Sequence, residues 1–119
     1  MTKKTRVTIY HNPKCSTSKQ VLAMIEASGA TPTIVEYLKT GWTKPQLKAL
    51  FAAAGITPRQ ALRTKAKEAD ELGLLDLKVS DAKLLDAMVA HPVLVERPFV
   101  ESGKGTLLAR PKEKVREIL

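Results

Sequence analysis

The first apolar run, Val7-Thr8-Ile9-Tyr10, is short, β-branched and aromatic, and reads as a strand. His11-Asn12-Pro13 ends it, because proline gives no donor to a ladder and asparagine favours turns. From about residue 16 the pattern changes period. Val21, Leu22, Met24 and Ile25 recur at helical spacing, and Ser28-Gly29 closes the segment, with Gly29 suited to the left-handed position just past a helix end. Thr33-Ile34-Val35-Glu36-Tyr37-Leu38 reads as a second strand. Strand, helix and strand in this order favour a parallel pair joined by a crossover helix.

The middle of the chain is helical in pattern. Thr43-Lys44-Pro45-Gln46 is a capping box with proline in the first turn, and it leads into Leu47, Leu50, Phe51 and Ala54 before Gly55 stops it. Thr57-Pro58-Arg59-Gln60 repeats the start signal. Ser80-Asp81 opens another helix with Leu84, Leu85, Met88 and Val89 on one face, ended by His91-Pro92. Residues 63–79 are charged, with Leu72, Leu74 and Leu75 as anchors, and predict one or two short helices. Strands then return at Val93-Leu94-Val95, Phe99-Val100 and Thr106-Leu107-Leu108-Ala109. Ser102-Gly103-Lys104-Gly105 reads as a hairpin loop, and Pro111 starts a last helix with Val115, Ile118 and Leu119 docking on the sheet. The expected class is α/β: β-α-β over residues 6–40, a helical insertion over about 43–91, then β-β-α over 92–119, all in one domain of 119 residues.

Composition narrows the function. Hydrophobic residues make up 44% and charged residues 27%, which suits a globular chain, and the longest apolar run, residues 50–56, is too short to cross a membrane. The basic start, Met1-Thr2-Lys3-Lys4-Thr5-Arg6, precedes too short an apolar stretch for a signal peptide, so a cytoplasmic location is expected. Cys15 is the only cysteine, which excludes an internal disulfide and a zinc finger. With His11 and His91 the only histidines, no metal site is expected. His91, before Pro92, reads as a helix-end residue. Net charge is +8, and it is uneven: residues 1–60 carry 9 Lys/Arg against 2 Asp/Glu, residues 61–119 carry 11 against 10. A basic half suggests an anionic partner, with a merely solvated basic face as the alternative.

Cys15 lies between a strand end and a helix start. There the unpaired N–H groups and positive dipole end of the helix stabilise a thiolate and cradle an oxyanion. Lys14 and His11 stand close by. Polar neighbours on both sides (Lys14, Ser16, Thr17, Ser18) argue against an inert core cysteine, so a lowered thiol pKa is expected.

His11-Asn12-Pro13-Lys14-Cys15-Ser16-Thr17-Ser18 after a short strand resembles the signature of the glutaredoxin-coupled arsenate reductases. Three further matches lie far away, at Ala61-Leu62-Arg63, Glu96-Arg97-Pro98 and Ala109-Arg110-Pro111, and the resemblance covers essentially the whole chain. It implies a thioredoxin-like core with a helical insertion, a nucleophilic Cys15, an oxyanion site formed by Arg63, Arg97 and Arg110, and a cis peptide before Pro98. Guanidinium forks suit a tetrahedral anion, and they neutralise charge that would repel an approaching thiolate. The resemblance also places His11 near the thiolate, modulating its charge. Ser18 stands where a Cys-x-x-Cys motif has its second thiol; it can donate a hydrogen bond to the thiolate but cannot resolve an adduct. Arg59 reads as an ordinary helix-surface residue.

The implied activity is reduction of arsenate to arsenite, as in arsenic detoxification, by a chain that binds no cofactor. Glutathione serves as co-substrate and glutaredoxin as electron donor, and the protein is expected to be a monomer. Lys14, Lys19 and Lys44 would attract the anionic tripeptide or an acidic glutaredoxin face. Two other functions suit the same fold. One is a glutathione-dependent thiol reductase with little arsenate activity, against which the full arginine set argues. The other is a non-enzymatic RNA-polymerase-binding regulator; Ser18 precludes its disulfide switch and leaves polymerase binding itself open. One Trp and two Phe give no stacking platform, so nucleic acid is not an expected partner. The sequence stops at Leu119, shortly after Arg110 and earlier than some members of that family. This departure is expected to bear on a C-terminal part of the site or on a partner surface.

Overall fold

The structure is a computed structural model and describes residues 6–119; most of the basic N-terminal segment, residues 1–5, lies outside the described residues. The chain divides into two compact units. The first runs to Thr40 and resumes over Arg97–Leu119; the second is Gly41–Glu96.

The first unit is built on a four-stranded sheet in the order β2-β1-β3-β4, with β1 at Val7–Tyr10, β2 at Pro32–Val35, β3 at Phe99–Ser102 and β4 at Gly105–Leu108. β1 and β2 are parallel, joined through helix α1 (Ser16–Ala27), as the strand–helix–strand pattern predicts; β3 pairs antiparallel with both β1 and β4. Val7 and Ile9 alternate onto one face of the sheet. There they meet Val21 and Ile25, one helical turn apart on α1, together with Val100, Ala109, Val115 and Ile118. Each valine or isoleucine of this set stabilises the fold by roughly 1.5–3 kcal/mol on burial. Past α1, Gly29 has φ +91°, the left-handed conformation that only glycine adopts at little cost. This arrangement is the expected thioredoxin-like core.

Three sequence expectations need correction here. The second strand was expected over residues 33–38 but ends at Val35, where β1 turns away and leaves only the His11 N–H to reach the Val35 carbonyl at 2.8 Å. Tyr37–Thr40 then forms a helical turn, α2, closed by Lys39 and Thr40 N–H groups on the Glu36 carbonyl. The last helix is a 3-10 helix over Lys112–Ile118. At 3.0 residues per turn, Val115 and Ile118 stand above one another, and both are buried. Finally, Val93-Leu94-Val95 is not a strand. Pro92–Leu94 is a 3-10 turn, and Val95 makes a single bridge with Leu62.

That bridge belongs to the second unit, which contains α3 (Lys44–Ala54), α4 (Pro58–Ala61), α5 (Lys67–Glu71) and α6 (Asp81–Ala90). Thr43 and Thr57 both form the predicted capping boxes, and Ser80 caps α6. α6 packs on α3, α4 and the 3-10 turn, burying Leu84, Leu85 and Met88. The Arg63 N–H donates to the Leu94 carbonyl at 2.7 Å and the Glu96 N–H to the Ala61 carbonyl at 2.8 Å, which fastens residues 92–96 to this unit.

Arg59 is not the idle surface residue the sequence suggests. Its guanidinium donates to the carbonyls of Leu74 (2.6 Å), Asp76 (3.0 Å) and Val79 (3.2 Å), so one side chain ties down a loop that has little regular structure of its own. Hydrogen bonds from charged donors are worth about 1.5–3 kcal/mol, less where water competes. Arg59→Ala should therefore cost about 1–3 kcal/mol in urea unfolding, with Arg59→Lys intermediate because an ammonium cannot span the three acceptors. An unchanged unfolding midpoint would show the clamp to be energetically silent.

Candidate active site

The register of the sheet assembles the site. Tyr10 pairs with Phe99, so the chain leaving β1 (residues 11–15) runs beside the chain entering β3 (Arg97 and Pro98). Phe99 also pairs with Leu108, and the Ala109 N–H donates to the Pro98 carbonyl at 2.9 Å, which brings Arg110 next to Arg97. The Arg97–Pro98 peptide is cis, as the resemblance implies, and so is Arg110–Pro111, which the sequence reading did not anticipate.

Cys15 is the N-cap residue of α1, in extended conformation with φ −95° and ψ 121°. The loop before it is held by Asn12, whose carbonyl accepts the Cys15 N–H at 3.0 Å and whose Oδ1 accepts the Lys14 N–H at 3.0 Å. No acidic residue occupies the first turn of α1, so its positive end is left to the sulfur. Cys15 is 9% exposed. Its pKa lies below the ordinary value in spite of that burial, which by itself would raise it. The backbone N–H of Ser18, the charge and hydrogen bond of the Arg97 guanidinium, and the Thr17 N–H together outweigh the desolvation. Arg110 in turn donates from Nη1 to the Arg97 carbonyl at 3.1 Å.

The Ser18 hydroxyl, which the sequence allows to donate to the thiolate, instead accepts the Asn12 N–H at 3.1 Å and pairs with His11 Nδ1 at 2.6 Å; its backbone serves the sulfur. His11 is thus linked to Ser18, the residue whose backbone N–H serves the sulfur. Lys14 is exposed, and the cation acting on the thiol is Arg97. Arg63 lies in the second unit, where its Nε is buried without a hydrogen-bond partner. Asn12, read from the sequence only as a turn former, is 6% exposed and holds the loop through three groups, its N–H, its carbonyl and its side chain. The available signal was an asparagine two residues before Lys14, the spacing of an Asx turn.

A cysteine capping the crossover helix of a mixed four-stranded sheet, faced by the residue before a cis proline, is the arrangement of a thioredoxin-like protein. The profile of the ArsC family matches residues 10–118, and the chain belongs to that family. It is 57% identical over 113 residues to the arsenate reductase ArsI2 of Synechocystis, spanning 95% of this chain and 81% of that protein. It is 48% identical to the arsenate reductase of Escherichia coli K12, spanning 95% of this chain and 80% of that one. The structure of an arsenate reductase from Vibrio cholerae superposes with a TM-score of 0.93 at 41% identity, covering 98% of this chain and all of that one.

Two titrations check the electrostatics. Thiolate absorbance at about 240 nm should rise with a midpoint below that of free cysteine, and Arg97→Ala should move the midpoint upward. A wild-type midpoint at or above the free value contradicts the geometry. His11 has a pKa lowered from 6.5, first by burial and further by Lys19, against the opposing pull of Glu36. Its folded value is the lower one, so the unfolded chain binds the proton first. The associated stability is complete above pH 6.5 and is lost as pH falls through the folded value. Urea midpoints should decline on acidification in that window, and the decline should be shallower in His11→Gln; equal slopes would count against a neutral buried imidazole.

Proposed function

We propose that this protein reduces arsenate to arsenite, with Cys15 as nucleophile and with glutathione and glutaredoxin as electron donors. The observation that carries the reading is a thiol favoured as its anion by Arg97 and by the amides of α1, in a chain closely similar to arsenate reductases. A thiolate meets an anionic substrate only where positive charge offsets their repulsion. Arg97 lies on the sulfur, and Arg110 is fastened to the Arg97 carbonyl. For Arg63 the support is its sequence context and its buried, unpartnered Nε–H.

In the first step the Cys15 sulfur forms a bond to arsenic(V) and an arsenate oxygen leaves as water after taking up protons. A glutathione thiol then attacks the Cys15 sulfur. The sulfur–arsenic bond breaks, its electron pair stays on arsenic, and arsenite departs as arsenic(III). The two sulfurs supply the two electrons and remain as a mixed disulfide. A glutaredoxin thiolate next takes the glutathionyl sulfur and returns Cys15 as thiolate. His11, Ser18 and Asn12 act as positioning residues for the loop and helix end that hold the sulfur.

The test is arsenate-dependent NADPH oxidation coupled through glutathione, glutaredoxin and glutathione reductase. Cys15→Ser should abolish it. Arg63→Ala, Arg97→Ala and Arg110→Ala should each lower kcat/KM for arsenate by roughly tenfold to a hundredfold, about 1.5–3 kcal/mol. Lysine at 97 or 110 should restore only part of the loss. Lys48, exposed on α3, is the charge control; Arg59 cannot serve, because its removal frees a loop. Equal losses in Lys48→Ala would reduce the arginine effect to general electrostatics. Thiol exchange without arsenate turnover in the wild type would favour a thiol reductase instead.

A further inference from the structure

A groove of about 270 Å³ opens beside the site, walled by Thr17 and Gln20 of α1 and by Arg110, Pro111, Lys112 and Glu113 at the start of the last 3-10 helix. Its walls are continuous with the groups that hold the sulfur. Thr17 gives Cys15 a backbone N–H, and Arg110 is bonded to the carbonyl of the arginine that binds the thiolate. Lys112 crosses the groove to Gln20, Nζ to Oε1 at 3.2 Å. The groove thus presents two cations and an amide, with one carboxylate, Glu113, on the same wall.

Its size falls just below the roughly 300–1,000 Å³ of sites that enclose a whole small ligand, so it suits one end of a molecule. Two cations beside one anion match a free amino-acid terminus, which carries a carboxylate and an ammonium together. Distance agrees. Gln20 lies five residues along α1 from Cys15, about 7–8 Å at 1.5 Å per residue, and a γ-linked amino-acid end sets its α-carbon five extended bonds, roughly 6–7 Å, from that of the thiol-bearing residue.

Two other grooves of this unit suit such a terminus less well. One, at Asn12, Pro13, Lys14, Glu36, Leu38 and Lys39, is largely apolar, and its Lys39 is already 3.5 Å from Glu36. The other, at Met24, Ala27, Ser28, Arg116 and Leu119, sits at the far end of α1 from Cys15.

We infer that the groove between α1 and the 3-10 helix seats the zwitterionic amino-acid end of the thiol co-substrate, with Lys112 on its carboxylate, Glu113 on its ammonium, and Arg110 at the inner end shared with the oxyanion site. The inference rests on the proposed use of a thiol peptide, and it is tested without arsenate. Cys15 of the full chain is reacted with oxidised glutathione, which has such ends, and with bis(2-hydroxyethyl) disulfide, which is neutral. In each case the Cys15 thiolate displaces one thiolate and keeps the other half as a mixed disulfide, read by mass spectrometry.

Lys112→Glu should slow exchange with oxidised glutathione by roughly fivefold to tenfold, as expected for reversing a partly exposed ion pair. Exchange with the neutral disulfide should shift by less than about twofold. Lys112→Arg should behave as wild type, and Glu113→Gln should slow only the zwitterionic reagent. In the coupled assay the same Lys112→Glu protein should show a raised KM for glutathione at an unaltered KM for arsenate. Parallel changes with both disulfides, or none with either, overturn the groove assignment. Selective exchange in a protein without arsenate turnover would leave the groove standing and overturn the arsenate reading alone.

Discussion

A negative sulfur at the edge of a protein interior depends on what surrounds it, and here most of the site is arranged around that charge. Burial of Cys15 disfavours the thiolate, and the chain answers with two backbone N–H groups and one guanidinium. The N–H groups come from the first turn of α1, the guanidinium from a residue 82 positions later. What joins them is the antiparallel pairing of Tyr10 with Phe99, and a slip of one residue would turn every side chain of β3 to the other face. The apolar alternation of Val7 and Ile9 against Val100 is therefore also what sets Arg97 against Cys15. Core packing and site geometry are one constraint.

How far the sequence reveals this differs from residue to residue. Local signals are fully legible: the threonine capping boxes at 43 and 57, the Ser80 cap and the glycine after α1 all depend on contacts within a few residues. The strand at 93–95 misleads because Leu94 and Val95 are buried in a unit made of helices, which a strand pattern cannot distinguish from burial by a sheet. The second strand is overextended for a related reason. Tyr37 is buried, but in a helical turn, and nothing in Glu36-Tyr37-Leu38 alone says where β1 stops offering hydrogen bonds.

The arginines make the same point at the site. Arg59, Arg63, Arg97 and Arg110 are equal in a count of charges, and only context separates them. Arg59 spends its donors on three carbonyls of its own unit, so it has structural work and no spare fork for a ligand. Arg97 is bonded to a sulfur, a group that carries negative charge only while it is a thiolate. The hydroxyl of Ser18 was legible as a residue and not as a role, because its partners, His11 and the Asn12 amide, are set by how the loop closes.

A chain with one thiol can form a disulfide only with a sulfur brought to it, whatever the oxidant it meets. Cys15 is held from the α1 side by amides and from the β3 side by Arg97, and the groups that hold it continue outward as the walls of a charged groove. On the proposed reading this continuity has a consequence for a second anion. While the oxyanion occupies the arginines, its charge offsets theirs, and the cations left for a second anionic molecule are those farther out, Lys112 foremost. An incoming thiol carrying its own carboxylate is then drawn to the groove instead of competing for the arsenate site. Two anions can thus be handled at one thiolate because the positive charge is divided along the path and not concentrated at the sulfur.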